Sequence, residues 1–258
     1  MRALVTGAAR RLGRAMALAL AEDGWDVAVH YAGSAAEAAA TVAEIRAMGR
    51  RAEALQADLL DEDAARQLVP RAVRALGGPL TLLVNNASIF EHDTIRTATD
   101  ESWQRHIGSN LRAPFLLTQA FADQAPAAGR EGNGERRASA NIVNMIDQRV
   151  LKPTPEFMTY TLAKMGLWAL TRTTAQALAP GIRVNAIGPG PTLIGARQTP
   201  EHFARQRAAT VLERGADAAD VVAALRYFLS APSVTGQIIC TDAGQHLAWK
   251  TADILGLE

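Results

Sequence analysis

Short runs of β-branched and aliphatic residues alternate along the chain with longer stretches rich in Ala and Leu, and the two kinds of segment predict different elements. ALVTGA, beginning at Ala3, and DVAVHY, from Asp26 to Tyr31, predict two strands, with a helix between them from Leu12 to Asp23 that stops at Gly24. Ser34 followed by Glu37 has the form of a capping box and opens an Ala-rich helix that ends at Gly49. EALQADL and LTLLVNNA are two further strands. The helical stretch between them starts near Asp61, and Pro70 inside it predicts a kink or a break, because proline has no amide proton to give to the helix. ANIVNMID, IRVNAIG and GQIICTDAG bring the strands to about seven. They carry almost no outward polar period, so both of their faces are expected to be buried. The pattern predicts an α/β fold over residues 1–258: a single domain built on a doubly wound parallel sheet with helices on both faces. APAAGREGNGERRAS, Ala125 to Ser139, fits neither pattern and is expected to be a mobile surface loop rather than a domain linker.

Composition narrows the partners. With 258 residues, 48% of them hydrophobic, the chain can bury one large core. A formal charge of +1, from 27 basic and 26 acidic residues, supplies no bulk field for nucleic acid or an anionic membrane. Arg10, Arg11 and Arg14 interrupt the N-terminal apolar run, and no run of about 18 apolar residues follows, so neither a secretory leader nor a spanning helix is expected. Cys240 has no cysteine to pair with and lies in a predicted apolar strand, where an inert thiol is expected. His30, His92, His106, His202 and His246 have no metal-ligand spacing, and no metal is expected. These features describe a soluble cytoplasmic protein that acts on a small molecule.

In an open parallel sheet, ligands bind beyond the carboxyl ends of the strands, where the strand order reverses. The first such end is TGAARRLG: Gly7 can make the tight turn, and Gly13 lets the following helix approach the sheet, with its first amides facing a pyrophosphate. The usual three-glycine spacing is not met, because Arg11 stands at the middle position. A plain strand-to-helix turn is therefore the alternative, and placement at the first strand-helix junction favours the dinucleotide. The second strand ends in His30 and Tyr31 without the carboxylate that would accept from free ribose hydroxyls, and Asp26 precedes that strand, where it reads as a solvated turn residue. Arg10 and Ser34 are placed to hold an added phosphate instead, which favours NADP(H); the alternative for Arg10 is a solvated surface charge. Tyr160 and Lys164, four residues apart, share a helix face.

Taken together, TGAARRLG, NNAS (Asn85–Ser88), Asn110 in GSNL, Tyr160 with Lys164, and GPGPT after the sixth strand resemble the short-chain dehydrogenase/reductase family over nearly the whole chain, which implies a Rossmann-type sheet. Three positions depart from that family's pattern: Arg11 in the glycine turn, Ser88 in place of the last glycine of NNAG, and Asp147 where its catalytic serine belongs, thirteen residues before Tyr160. These departures, with HYAGSAAEA, Phe90 in NNASIF, and NMID, resemble the pteridine reductase and dihydromonapterin reductase branch. The resemblance implies Asp147, Tyr160, Lys164 and Asn110 as catalytic residues, with Lys164 holding the nicotinamide ribose and Asn110 anchoring a water that refills Tyr160 through Lys164. It implies NADP(H) contacts from Gly7, Arg10, Arg11, Leu12, Gly13, His30, Tyr31, Ser34, Asp58, Leu59, Asn86, Ala87, Ser88, Tyr160, Lys164, Pro189, Gly190 and Thr192. Asp58 is then the adenine-contacting acid, or else a helix N-cap region residue. Arg11, Ser88, Phe90, Asp147 and Tyr160 are the implied substrate contacts, with Phe90 stacked on a flat heterocycle or simply packed in its loop.

A free tyrosine titrates near 10, and a neighbouring ammonium lowers that value, so Lys164 is expected to tune Tyr160 as a proton donor. An ionised Asp147 would repel the negative charge that grows on a ketone oxygen; it suits a ring that offers hydrogen-bond donors or takes a proton on nitrogen, as pterins and folates do. Three functions follow: an NADPH-dependent pterin reductase, a carbonyl reductase for ketones such as 3-ketoacyl thioesters, and a non-catalytic NADP(H)-binding sensor. Residues 191–214 have the length of a substrate-covering segment. The family resemblance implies a homotetramer that uses the helix of Tyr160, and the tail HLAWKTADILGLE, with Trp249 and Leu255, packs on a neighbouring subunit or on its own core.

Overall fold

The computed structural model describes residues 1–195 and 198–250. Its strands are β1 (Arg2–Val5), β2 (Asp26–Tyr31), β3 (Ala52–Gln56), β4 (Leu82–Asn85), β5 (Gly129–Arg130), β6 (Arg136–Arg137), β7 (Ala140–Met145), β8 (Ile182–Pro189) and β9 (Ile238–Thr241). Seven of them form one parallel sheet in the order β3-β2-β1-β4-β7-β8-β9. The order reverses between β1 and β4, where Val5 lies opposite both Val29 and Val84. Along the same edge Asn85 faces Asn144, and Met145 faces Ile187, so the carboxyl ends of β1, β4, β7 and β8 open side by side.

Successive residues of a strand point to opposite faces, and β1 shows the result. Ala3 and Val5 enter a core with Met16, Leu20, Ile45 and Phe228, beneath helices α1 (Arg11–Glu22), α2 (Ala35–Ala47) and, near the chain end, a helix over Ala218–Ser230. Leu4 enters the opposite core with Leu68, Leu76, Leu116 and Phe121, beneath α3 (Glu62–Leu76) and helices over Ala113–Gln124 and Met158–Ala177. In chain order the remaining helices are α4 (Asp100–Ile107), α5 (Ala113–Gln124), α6 (Met158–Ala177), α7 (Pro200–Ala208) and α8 (Ala218–Ser230). A π-helical turn, Gly108–Arg112, joins α4 to α5.

Two local expectations are corrected. α3 runs through Pro70 without a break: burial of Leu68, Val69 and Leu76, at about 1.5–3 kcal/mol each, outweighs the roughly 3 kcal/mol that an internal proline costs. Ser34 stands at the N-cap of α2 but makes no side-chain capping bond, and Glu37 pairs with Arg10 at 3.5 Å. The true capping boxes are Thr99 with Ser102 and Asp217 with Asp220. The segment 125–139 is exposed, yet it is not wholly irregular: β5 and β6 pair antiparallel inside it, turning at Gly134, whose φ of +86° suits glycine. Among the described residues no helix is long and apolar enough to cross a membrane. Trp249 is exposed, and Leu255 lies outside the described residues.

Candidate active site

The glycine turn is latched to the loop after β4 by hydrogen bonds between side chains and the main chain. Thr6 Oγ1 accepts from the amides of Asn86 (2.8 Å) and Ala87 (2.9 Å), while Asn86 Nδ2 donates to the carbonyls of Thr6 (2.8 Å) and Gly7 (3.2 Å). Gly7 has a φ of +62°, and a Cβ on Gly13 would stand 2.2 Å from the Gly7 carbonyl oxygen, so neither position accepts a side chain without movement. Arg11 also holds a left-handed φ, +55°, and its guanidinium donates to the carbonyls of Leu193 (3.0 Å) and Ile194 (2.7 Å). Its side chain thus ties the turn to the segment after β8.

Gly7, Arg10, Arg11, Leu12, Gly13, His30, Tyr31, Ser34, Asn86, Ala87 and Ser88 line one cleft of about 750 Å³. The first turn of α1 carries no acidic residue, which leaves its positive dipole end open to an anion. The arrangement fits a dinucleotide, with phosphates at the side-chain-free turn and an added 2′-phosphate near Arg10, Tyr31 and Ser34. Arg10 is shared with Glu37 at 3.5 Å in an exposed pair, which is weak. His30 also holds the turn in place. The Gly7 amide donates to its Nδ1 (3.0 Å), so Nε2 carries the proton and donates to the Ala57 carbonyl (3.1 Å). Burial pushes its pKa down to about 4, and the neutral ring braces the floor of the cleft. Outside the cleft, Leu59 packs in the core, Asp58 accepts from the Leu60 amide (2.9 Å), and Asp26 accepts from the Arg51 amide (2.9 Å), a structural use of that acid.

Asp147, at the mouth of β7, caps a short 3-10 turn by accepting from the Arg149 amide at 2.8 Å. Its other oxygen accepts from the Tyr160 hydroxyl at 3.0 Å. Lys164, one helical turn further along α6, donates to the Met145 carbonyl at 2.8 Å, with Nζ 5.7 Å from the Tyr160 ring centroid. Burial, then the nearby Asp147 charge and its hydrogen bond, raise the Tyr160 phenol well above its ordinary value; burial likewise raises Asp147 and pushes Lys164 down to about 8. The expectation that Lys164 lowers the phenol is therefore corrected: burial, together with the carboxylate in hydrogen-bond contact, raises it. Asn110 is fully buried in the π-helical turn, where its amide group donates to the Ile89 carbonyl (2.8 Å) and accepts from the Ile89 amide (2.9 Å). Its side chain secures the loop that carries Ser88 and Phe90.

Phe90 stacks on Phe157 with centroids 4.4 Å apart and planes 11° from parallel, and it meets the edge of Tyr160 at 4.6 Å. One face of Phe90 is thus covered by Phe157, which completes the aromatic wall. Arg149 lies 5.1 Å over the Phe157 ring. Neither residue was expected. Phe157 precedes Tyr160 by three positions, but its left-handed φ of +59° has no signature in its residue type. Gly190 donates to the Thr241 carbonyl (3.1 Å), and Thr192 Oγ1 donates to the Gly190 carbonyl (3.0 Å), so the loop after Pro189 is pinned to β9. Burial and nearby carboxylates push the Cys240 thiol up to about 12, as expected of an inert cysteine. Among the described residues no cluster of His, Cys, Asp and Glu has the arrangement of a metal site.

The family model for short chain dehydrogenase matches residues 1–203, across the glycine turn, Asp147, Tyr160 and Lys164. The chain is a short-chain dehydrogenase. It is 37% identical over 189 residues to a 3-oxoacyl-[acyl-carrier-protein] reductase, FabG, of Staphylococcus aureus strain N315, which covers 73% of each chain. Two solved structures follow the fold more fully. FolM alternative dihydrofolate reductase 1 of Brucella suis, in complex with NADP, is 44% identical with a TM-score of 0.90 and 98% coverage of both chains. Its counterpart from Brucella canis, also complexed with NADP, is 43% identical with a TM-score of 0.88, covering 98% of this chain and 97% of that one.

Proposed function

We propose that the chain is an NADPH-dependent reductase of a pterin, dihydropterin or dihydrofolate-type ring. The observation that carries this reading is the hydrogen bond from the Tyr160 hydroxyl to the Asp147 carboxyl at 3.0 Å, at the position where the family's serine would donate to a ketone. NADPH, when bound, supplies the hydride. The side-chain-free turn at Gly7 and the main-chain amides of Leu12 and Gly13 would hold its phosphates, Arg10, Tyr31 and Ser34 would hold the 2′-phosphate, and Lys164 would hold the ribose hydroxyls. Tyr160 holds the proton for the ring nitrogen next to the reduced carbon. Its raised pKa makes it a weak acid by itself; Asp147 accepts its hydrogen bond and orients the ring's donors, and the proton given to the ring is replaced from solvent. Phe90 and Phe157 wall the flat substrate, and Ser88 and Arg11 border it. The FolM relatives named as dihydrofolate reductases and bound to NADP support both cofactor and substrate class.

The test is NADPH oxidation followed by absorbance, with dihydrobiopterin, dihydrofolate, a dihydromonapterin-type pterin and a 3-ketoacyl thioester offered in parallel. Turnover of a pterin, reduced in Asp147→Ser, is the expected result; turnover of the thioester alone rejects the reading. The second reading, a carbonyl reductase in which Asp147 works protonated, has the FabG similarity in its favour and is decided by the same panel. Exposed Leu162 and Met165 on α6 and Phe115 on α5 support a homotetramer built on these helices, which light scattering checks. A cytoplasmic location goes with this reading.

A further inference from the structure

Next to Tyr160 lies a buried polar cluster that the reaction does not use. Asp93, 2% exposed, receives Thr159 twice: the Thr159 amide donates to Oδ1 at 3.1 Å, and the Thr159 hydroxyl donates to Oδ2 in a short contact. Ser102 of α4 adds a donor to Oδ2 at 3.1 Å. The Asp93 carbonyl accepts from the amides of Phe157 (2.8 Å) and Met158 (3.3 Å). His106, fully buried, closes the cluster: the Glu91 amide donates to its Nε2 (3.1 Å), so its proton resides on Nδ1 and is donated to Thr159 Oγ1 (2.7 Å). Every donor in the chain from Glu91 to His106 to Thr159 to Asp93 therefore runs in one direction, with no rotamer left to choose.

This cluster grips the opening turn of α6, which starts at Met158 and presents Tyr160 as its third residue. It also fixes Phe157 in its left-handed conformation, the step that lays the ring against Phe90. We propose that Asp93, Thr159 and His106 are positioning residues that set the Tyr160 hydroxyl against Asp147 and Phe157 against Phe90. They touch neither cofactor cleft nor reacting atoms; they act through the two side chains they aim. The inference rests on Tyr160 as the proton donor, not on the identity of the substrate.

Thr159→Val removes the hydroxyl at nearly constant volume, Thr159→Ser keeps it, and Asp93→Asn weakens its acceptor. A misplacement of about 1 Å can cost on the order of 100-fold in rate, so Thr159→Val and Asp93→Asn are expected to lose about 10- to 100-fold in kcat. KM for NADPH should stay within about twofold, because the cleft is untouched, and Thr159→Ser should recover most of kcat. A readout independent of turnover is ¹³Cζ-tyrosine NMR: the chain has 3 tyrosines, and Tyr160→Phe assigns the signal. Thr159→Val should move the Tyr160 resonance, and Thr159→Ser should restore it. Should no pterin be reduced, the NMR comparison still decides this proposal, so the two readings fail separately. An unmoved resonance in folded Thr159→Val overturns it, as does Thr159→Ser behaving like Thr159→Val. If Asp93→Asn does not fold, the Thr159 pair gives the answer.

Discussion

Two carboxylates press on the first turn of α6 from different sides, and the structure treats them in opposite ways. At Asp93 burial alone would raise the pKa; three donors from Thr159 and Ser102 overcome that and hold it below the ordinary carboxylate range. Asp147 has the Arg149 amide and the Tyr160 hydroxyl, and for it burial prevails and the pKa rises. Their neighbours, Thr159 and Tyr160, are adjacent in sequence. The contrast teaches that the balance of donors against burial separates a fixed charge from a group poised to exchange a proton. One carboxylate holds the helix; the other faces the chemistry.

The severest way to break the comparison is to remove the proton that Asp147 receives. Tyr160→Phe should lower kcat by about 10²- to 10⁴-fold, measured by NADPH oxidation with the preferred substrate, while NADPH binding by fluorescence persists. Next comes acid stability. His30 has a folded pKa of about 4 against an ordinary 6.5, so the unfolded chain binds more protons between those values. Its contribution, about 3 kcal/mol, is complete above pH 6.5 and lost as pH falls toward 4; His30→Gln should flatten that slope in urea titrations. Asp93 behaves in the same sense at lower pH, its folded pKa being depressed below the ordinary 3.8, with stability lost as pH falls through the folded value. Asp93→Asn should therefore cost about 1–3 kcal/mol at pH 7. Asp147 has the opposite sign, because its raised folded pKa means that stability declines as pH rises through that value. Asp147→Asn should thus leave the pH 7 urea midpoint unchanged or slightly raised, and a drop as large as that of Asp93→Asn would abolish the distinction. Asp147→Ser sharpens it in activity: about tenfold lower kcat/KM on a pterin, with a gain on the 3-ketoacyl thioester.

Where the signal is a period or a spacing, the sequence was legible. The seven parallel strands follow from short apolar runs between helical stretches, and the shared face of Tyr160 and Lys164 from the helical period, while Asp147 beside Tyr160 was implied by the family resemblance. The capping box at Ser34 was misread because the rule counts residues, while Glu37 had an alternative partner, Arg10, on a neighbouring element. Pro70 was misread because a propensity is local and the packing of α3 is not. The role of Arg11 as a strap to Leu193 and Ile194 joins positions more than 180 residues apart, and the cluster around Asp93 draws on α4 and α6 at once. Such contacts exist only after the sheet has gathered its segments, so no window of sequence contains them.

The latch between Thr6 and Asn86 has a consequence in time. The two residues are 80 positions apart, and a ribosome adds about 5–20 residues per second. For roughly 4–16 s, then, a nascent chain displays Gly7 and Gly13 as an unclosed bend, and the nucleotide cradle comes into being only when the fourth strand has been made and drawn in beside the first.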